Sequence, residues 1–304
     1  MRPPAQQLQE QHCTEPATSL PEEINAATKQ AHTRLNRLIS ARLPLALPPH
    51  SNDPNAYAVG LLHFAPVYIV FESVWLALLN APTLGKQGKQ TLSTEEERIH
   101  KILERLYIPE LRRTEGLCQD LAKLLDLPPD QIKGGMSRRG WPRVSEFAAH
   151  IEASASAKPH VLVAYAWVMY MALFNGGRWM RSELSAAGDR FWGSPSHTLV
   201  DEQDEGGSDA CLNFFRFKGS QDGDGIKHDF KARLSEMEVL LKAEERLDIV
   251  REAQDIFIHC ALLVEELDDA VAGQRTMEPM PLHQLLLKHL LPMGMVDLFQ
   301  GKPR

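Results

Sequence analysis

Residues 170–177 read YMALFNGG, and the helical spacing of apolar residues continues past the two glycines through Trp179 and Leu184. Each glycine inside a helix costs about 0.8–1 kcal/mol relative to alanine, so an adjacent pair needs a physical reason. One explanation is that Gly176 and Gly177 end one helix and that a second helix begins after them. The other is a single helix that bends so that its bare backbone lies flat against a planar ligand.

The stretch before the glycines carries no charge from residue 159 to residue 177, a run of 19 residues that is long enough to raise the question of a membrane span. The run also contains polar and helix-breaking residues such as Pro159, His160 and Asn175, which hydrocarbon disfavours. The composition therefore favours a helix buried in the core of a soluble protein.

Capping and apolar spacing predict further helices toward the N-terminus. Residues 19–22, SLPE, form a capping box with proline in the first turn, which predicts a first helix that ends before Pro44. Residues 57–79 are mostly apolar with Pro66 inside, which predicts a kinked and largely buried helix. Amphipathic stretches predict three more helices, over 95–106, 109–125 and 144–152.

Toward the C-terminus, apolar residues at helical spacing continue from Phe230 to Gly273, which is the expected residue after the end of one long helix. No stretch alternates convincingly with a period of two, so we expect strands to be absent or trivial. The predicted fold class is therefore all-α, with a single multi-helical domain and long loops over residues 19–273.

The two ends of the chain are predicted to lie outside this domain. Residues 1–18 are rich in Gln, Glu and Pro and lack the apolar core of a secretory signal, which predicts a disordered arm. Residues 274–304 form a C-terminal tail that is rich in Leu and Met but interrupted by Pro292 and Gly294. We expect this tail to pack on the domain as a helix, with weak contact to a membrane surface as the alternative.

Composition excludes several classes of function. The 33 Lys and Arg residues and 40 Asp and Glu residues give a formal net charge of −7, which leaves no global basic field for nucleic acid. The four cysteines are widely separated and form no CxxC pair, so they are predicted to be reduced thiols in a cytoplasmic protein.

His32 lies beside the apolar stripe of the first predicted helix, so its ring is expected to face the edge of the core. Such a histidine is either a hydrogen-bonded core residue or a metal ligand. Asn36, one turn later, could accept a proton from Nδ1 and leave Nε2 free for a metal. His63 and His259 lie on other apolar helix faces and are predicted to be core residues.

Lys227 and Lys231 are spaced one helical turn apart at the start of the predicted long helix. The usual interpretation of such a pair is a solvated basic face. The alternative is a clamp for carboxylates at the rim of a cleft, since ammonium groups bind anions while their stems pack on apolar surface.

Five stretches in this order resemble the heme oxygenase family. They are residues 27–33 (ATKQAHT), 108–121, 170–177, 212–217 (LNFFRF) and 257–267. The resemblance extends over roughly residues 22–269 apart from the loops. Each motif is short, but their common order makes the match of fold specific.

The resemblance implies a heme site in which heme, with its iron, is both cofactor and substrate. By position, His32 would be the axial ligand of the iron, and Gly176 and Gly177 would form the backbone over the opposite face of the heme. Lys227 and Lys231 would contact the heme propionates, and Phe257 would pack near the porphyrin.

Several positions depart from the family pattern. The aspartate that anchors the family's proton-delivering water falls on Leu173, and the first glycine over the heme falls on Ala172. The tyrosine and lysine that contact propionates fall on Trp167 and Asn25, and the glutamate that orients the axial histidine falls on Asn36. The binding residues are thus partly kept, whereas the proton-delivery residue is replaced. Asn175 or a backbone carbonyl near the glycines could hold the water instead.

Three functions remain open. The first is a heme oxygenase that forms biliverdin, carbon monoxide and iron with electrons from an NADPH-dependent flavoprotein reductase, in the cytoplasm or at the surface of the endoplasmic reticulum. The second is a non-catalytic heme-binding or sensing protein of the same fold. The third is a di-iron oxidase of this fold, for which Glu97 and His100 have suitable helical spacing, but the predicted helix from His160 to Gly177 contains no Asp or Glu.

Overall fold

A computed structural model describes residues 18–81, 93–128, 132, 141–193 and 211–276 of the chain. Within these ranges every regular element is helical and no strand is present, which confirms the all-α prediction. We number the long helices α1 to α8. They are α1 (Leu20–Arg42), α2 (Asn55–Asn80), α3 (Thr94–Leu106), α4 (Thr114–Leu125), α5 (Pro142–Ala157), α6 (residues 162–186), α7 (Asp224–Met237) and α8 (Ala243–Thr276).

The start of α1 follows from local chemistry. The backbone N–H of Ser19 donates to the Glu22 carboxylate at 2.9 Å, as the predicted capping box requires. The helix ends at Arg42, before Pro44, as predicted. Its buried residues are Leu20, Ile24 and Thr28, all in the first half of the helix, so the second half of α1 has no fully buried residue.

Helix α2 is the core of the molecule. It packs against α4 and α5, is mostly buried, and carries Pro66 inside. Among the described helices it alone is long and apolar enough to cross a membrane, but 61% of its most apolar window is buried inside the protein. Burial of this extent is typical of a helix at the centre of a protein core.

The predicted helix over 109–125 is two elements, a 3₁₀ turn at Pro109–Leu111 and then α4. The break is stabilised by Glu72 of α2, which is 2% exposed. Its carboxylate accepts the backbone N–H of Arg113 at 2.6 Å and both the N–H and the hydroxyl of Thr114, at 3.1 and 2.6 Å. A carboxylate at this position satisfies unpaired N–H groups at the start of α4 and complements the helix dipole.

Helix α6 contains the glycine pair. It begins at Leu162–Tyr165, widens into two π-helical turns at Ala166–Tyr170 and Leu173–Gly177, and continues as Arg178–Ala186. Gly177 has helical angles, with φ −62° and ψ −36°. The explanation in which the glycines end one helix is therefore wrong, because the backbone stays helical through both.

The single long helix predicted from Phe230 to Gly273 is also wrong. Helix α7 ends at Met237, a 3₁₀ turn covers Glu238–Leu240, and α8 begins at Ala243 and continues through Gly273 to Thr276. The break is set by Glu245, which accepts the backbone N–H of Lys242 at 2.8 Å and pairs with Arg98 of α3. Apolar spacing continues across the break because both helices bury a face in the same core.

Segment 211–217 is fixed to α4 by one buried carboxylate. Asp120 accepts the backbone N–H groups of Asn213 and Phe214, at 3.0 and 2.8 Å, and the side-chain amide of Asn213 at 2.8 Å. Burial raises the pKa of Asp120 to about 6, against the lowering effect of these hydrogen bonds. The segment in turn places Phe215 against α6.

The predicted disordered arm over 1–18 and the C-terminal tail over 274–304 fall almost entirely outside the described residues. Cys118, Cys211 and Cys260 are buried free thiols, as predicted, and Cys13 lies in the part not described.

Gly116 of α4 tests this packing. A Cβ there would lie 2.9 Å from the carbonyl oxygen of Asn213 and 3.2 Å from the amide nitrogen of Phe214. Because Asp120 holds that backbone in place, we expect Gly116→Ala to lower the free energy of unfolding by about 1–3 kcal/mol, although alanine favours the helix. Urea denaturation measures the difference.

Gly225→Ala in the first turn of α7 is the matched control, since a Cβ there meets nothing within 4 Å. It should leave stability unchanged or raise it slightly. A Gly116→Ala protein as stable as the parent would contradict the description of this contact.

Candidate functional site

His32 lies on the exposed second half of α1, and its imidazole is accessible from outside. The ring packs edge-on against Phe257 of α8, with centroids 5.7 Å apart and planes at 82°. Phe257 itself is buried, at 8% exposed. The contact with Phe257 agrees with the prediction that the ring faces the edge of the core, whereas the exposure of His32 makes the core-histidine interpretation wrong. His32 stands at the surface with an aromatic ring supporting one side.

Asn36 also differs from its predicted role. Its side-chain nitrogen Nδ2 lies 3.5 Å from Nε2 of His32, whereas the prediction placed Asn36 at Nδ1. Asn36 is exposed, so its side chain can rotate away from Nε2 at little cost. A ligand that bonds Nε2 would replace this long contact.

Helix α6 has one exposed face, which begins near the glycine pair. Residues 160–171 are all buried, and the exposed positions that follow within α6 are Ala172, Asn175, Gly176, Trp179, Ser182, Glu183 and Ala186. A Cβ built on Gly176 would meet nothing within 4 Å. Spacing of three and four residues puts these positions on one side of the helix. The backbone of α6 is thus open to a ligand at Gly176.

The second glycine has a different role. Gly177 is buried, and a Cβ there would lie 3.3 Å from the Leu173 side chain and 3.4 Å from Phe215. Gly177 therefore allows segment 211–217 to pack closely on α6, whereas Gly176 leaves the other side bare. Gly177 is needed for close packing and Gly176 leaves the backbone exposed, and the sequence alone could not show which glycine has which role.

Helices α1 and α6 meet near one end. The indole Nε1–H of Trp167 donates to Oδ1 of Asn25 at 3.2 Å, and the two helices share few other contacts. His32 lies two turns further along α1, and Gly176 lies more than two turns further along α6. We use the name α1–α6 cleft for the region between the His32 part of α1, with Phe257 beside it, and the Gly176 part of α6.

Two lysines of α7 lie along α6. Lys231 lies at the end where Asn25 and Trp167 meet, and Lys227 lies beside Asn175, next to Gly176. Nζ of Lys227 donates to Oδ1 of Asn175 at 3.1 Å, and Nζ of Lys231 lies 5.9 Å from the Trp167 ring centroid. The two lysines predicted to contact propionates therefore lie near α6. Trp167 and Asn25, which stand where the resemblance implies a tyrosine and a lysine, contact each other, and Trp167 lies close to Lys231.

The lysines are electrostatically suited to an anion. Burial, together with repulsion from Lys231 and Arg178, lowers the pKa of Lys227. Arg178 is already paired with Asp222 and Asp224. Among the described residues neither Lys227 nor Lys231 forms an ion pair with a carboxylate, so an incoming carboxylate would relieve their repulsion.

Leu173 offers no polar group to the cleft. It is 4% exposed and packs beside Gly177. The side-chain oxygen of Asn175, which was predicted as a possible holder of water, accepts from Lys227 instead. The second prediction, a backbone carbonyl near the glycines, stays a prediction, and the π-helical turn at Leu173–Gly177 is the place where such a carbonyl would be found.

A polar group behind α6 was missed from the sequence. The hydroxyl of Tyr170 donates to Oε1 of Glu72 at 3.3 Å, and the guanidinium of Arg113 lies 4.1 Å from the Phe217 ring. Burial, the largest influence, lowers the pKa of Arg113. The only available signal was that Glu72 is the sole acidic residue in 57–79. This group anchors α6 to α2 and α4 from the side opposite the cleft.

The other candidate residues do not form a site with the cleft. Glu97 and His100, the pair considered for a di-iron site, do not belong to any group of metal-binding side chains among the described residues. His100 Nε2 lies 3.4 Å from the carbonyl oxygen of Leu79, and Glu97 is exposed. His63 is fully buried with Nδ1 2.8 Å from the Val59 carbonyl, as predicted for a core residue. His259 is only partly buried and stacks on Phe147.

The cleft as a whole fits one type of ligand. It combines an imidazole that can bind a metal, a bare backbone on the other helix, an aromatic ring beside the imidazole and two cationic side chains along α6. A planar metal complex with carboxylates on one edge, such as an iron porphyrin, matches this donor set.

Comparison with known proteins places this geometry in context. The model of the heme oxygenase family matches residues 90–266, more than half of the chain and a range that begins after His32. The curated heme-binding protein HMX1 of Saccharomyces cerevisiae is 25% identical over 173 residues, which is 55% of this chain. The match spans about half the length of that relative, 50%.

Solved structures share the fold. Heme oxygenase-2 from Synechocystis, in complex with heme and NO, has a TM-score of 0.60 at 17% identity and covers 94% of this chain and 98% of its own. Heme oxygenase 2 from Chlamydomonas reinhardtii, without heme, has a TM-score of 0.59 at 18% identity and covers 82% of this chain and 97% of its own.

The different surroundings of the two glycines give a stability prediction. Gly176→Ala adds a methyl group in open space and should raise the free energy of unfolding of the ligand-free protein by up to about 1 kcal/mol. Gly177→Ala must displace Leu173 or Phe215 and should be less stable than Gly176→Ala. Thermal and urea unfolding of both variants measures the order, and the reverse order would contradict the structure.

Proposed function

Because this chain belongs to the heme oxygenase family, we propose that it binds heme through His32 and cleaves the porphyrin to biliverdin, carbon monoxide and iron. One observation carries the proposal. The exposed imidazole of His32 and the bare backbone at Gly176 lie on two helices that are in contact at Asn25 and Trp167, and each residue is two or more turns from that contact.

Each wall of the cleft has a role in this proposal. His32 would hold the iron through Nε2, which requires Asn36 to turn away, and Phe257 limits rotation of the imidazole. The ammonium groups of Lys227 and Lys231 bind the propionates, at about 1.5–3 kcal/mol for a charge-assisted hydrogen bond.

Bound heme would supply a redox-active iron and would itself be the substrate. The residues of α6 control access to it: Gly176 and Ala172 let the backbone lie against the porphyrin, and the apolar Leu173 helps to exclude bulk water. Proton delivery requires an ordered water, and a backbone carbonyl of the π-helical turn at Leu173–Gly177 is the proposed acceptor for it.

Electrons in this proposal come from an NADPH-dependent flavoprotein reductase. The proposed location is the cytoplasm or the cytoplasmic surface of the endoplasmic reticulum. Buried free thiols at Cys118, Cys211 and Cys260 agree with a reducing compartment.

A second candidate, non-catalytic heme binding on the same fold, is favoured by Leu173. A leucine cannot hold the water that the family's aspartate anchors, and it is buried against the glycine turn. The two candidates share the binding site and differ only in turnover.

Hemin titration tests binding. The purified protein should bind one equivalent of hemin with a shift of the Soret band, and His32→Ala should lose the axial-ligand spectrum and at least tenfold in affinity, which is about 1.4 kcal/mol. His50→Ala, which removes another exposed histidine, is the matched control. Equal spectra for His32→Ala and the parent would refute the assignment of the ligand.

Turnover separates the two candidates. We expect the hemin complex, supplied with reductase and NADPH, to lose its Soret band and form biliverdin, with carbon monoxide trapped by ferrous myoglobin. A stable hemin complex with no bilin would establish the non-catalytic candidate instead.

The open surface at Gly176 gives a further prediction. Gly176→Leu fills the space where the porphyrin would lie, while the ligand-free protein has room for the side chain. We expect hemin affinity to fall at least tenfold with no loss of thermal stability in the ligand-free state. Unchanged affinity would show that hemin does not bind against this part of α6.

A further inference from the structure

Three side chains that commonly bind metals meet on the surface between α5 and α8. His150 lies on α5, and Glu252 and Asp255 lie on α8. One ligand atom from each residue lies within 4.8 Å of the other two, and Nε2 of His150 is 3.0 Å from Oε1 of Glu252. We call these residues the α5–α8 cluster. None of them is used in the α1–α6 cleft.

The carboxylate of Glu252 is held in position by its surroundings. Glu252 is 6% exposed, and its Oε1 accepts hydrogen bonds from the hydroxyls of Tyr165 at 2.6 Å and Ser154 at 3.0 Å. These donors and His150 all address the same oxygen, so Oε2 is not used by them. A carboxylate that is held in place by hydrogen bonds to Oε1 can offer Oε2 to a metal ion.

Carboxylates act on both imidazoles near the cluster, and one of them, Glu146, is also paired with Arg143 at 2.8 Å. Glu146 of α5 lies close enough to act on His150 and His259, as Asp255 and Glu252 do. Three carboxylates therefore surround one imidazole that can be charged, and a divalent cation would be attracted to them.

The helical spacing also suits coordination. Glu252 and Asp255 are three residues apart on one face of α8, and His259 is one turn after Asp255. The His259 ring lies 4.8 Å from that of His150 and stacks on Phe147. A pair of ligands on one helix and a third on its neighbour would fasten α5 to α8.

We propose that His150, Glu252 and Asp255 bind a divalent transition-metal ion, with His259 or water in the fourth position. A mixed imidazole and carboxylate set is typical of Zn²⁺ and Fe²⁺ sites. Tetrahedral Zn²⁺ with ligands at about 2.0–2.2 Å needs donor atoms roughly 3.3–3.6 Å apart, which small rotations of these side chains provide. His150 and Asp255 are partly exposed, so the ion can enter from solvent.

The alternative is that no metal binds and that protonated His150 forms an ion pair with Glu252. The distance of 3.0 Å between them is compatible with either. Asp255 distinguishes the metal site from the ion pair, because it would be a metal ligand but takes no part in the ion pair between His150 and Glu252.

The test uses the full chain, free of hemin and treated with EDTA. Zn²⁺ binding is measured by calorimetry, and Co²⁺ binding is followed by its visible absorption, which reports the coordination geometry. We expect one equivalent to bind with micromolar or better affinity and to raise the melting temperature.

Asp255→Asn and His150→Gln should each weaken binding at least tenfold, and circular dichroism checks that both variants fold. His32→Ala is the matched control and should bind as the parent does, which separates this site from the heme proposal. Absence of binding, or equal binding by Asp255→Asn and the parent, would overturn the proposal, and so would loss of binding in His32→Ala.

Discussion

The continuity of the α6 backbone through Gly176 and Gly177 is the constraint on which the rest of the site depends. The helix must pass close to segment 211–217 on one side and leave a bare surface on the other. Glu72 and Tyr170 hold it from behind, and Asn25 and Trp167 fix its distance from α1 at one end. Glycine at residues 176 and 177 meets both conditions, the close packing on one side and the bare surface on the other, because it has no side chain.

The positions that carry the resemblance differ in what they offer a ligand. Lys227 and Lys231 are cations beside α6, and Trp167 and Asn25 are in direct contact at positions where the resemblance implies a tyrosine and a lysine. Leu173 lies where the resemblance implies a carboxylate, and it is apolar and buried beside Gly177. Binding of an anionic planar ligand is therefore better supported than the proton transfers that its cleavage needs.

Local signals predicted the start of α1 and the all-α class because a capping box and apolar spacing act over a few residues. The break between α7 and α8 was not predictable from spacing, since it depends on Glu245 and Arg98, which are 147 residues apart. The exposure of His32 was missed because the apolar stripe of α1 is buried only in its first half. The α5–α8 cluster also joins residues distant in sequence, and none of its members stands out alone.

The most direct test of the account is the iron–imidazole stretching band in the resonance Raman spectrum of the complex after its bound heme is reduced to the ferrous state. The account predicts that the band shifts when histidine is labelled with ¹⁵N, disappears in His32→Gly and returns when free imidazole is added to that variant. A band that persists unchanged in His32→Gly without imidazole would contradict it, since another residue would then hold the iron.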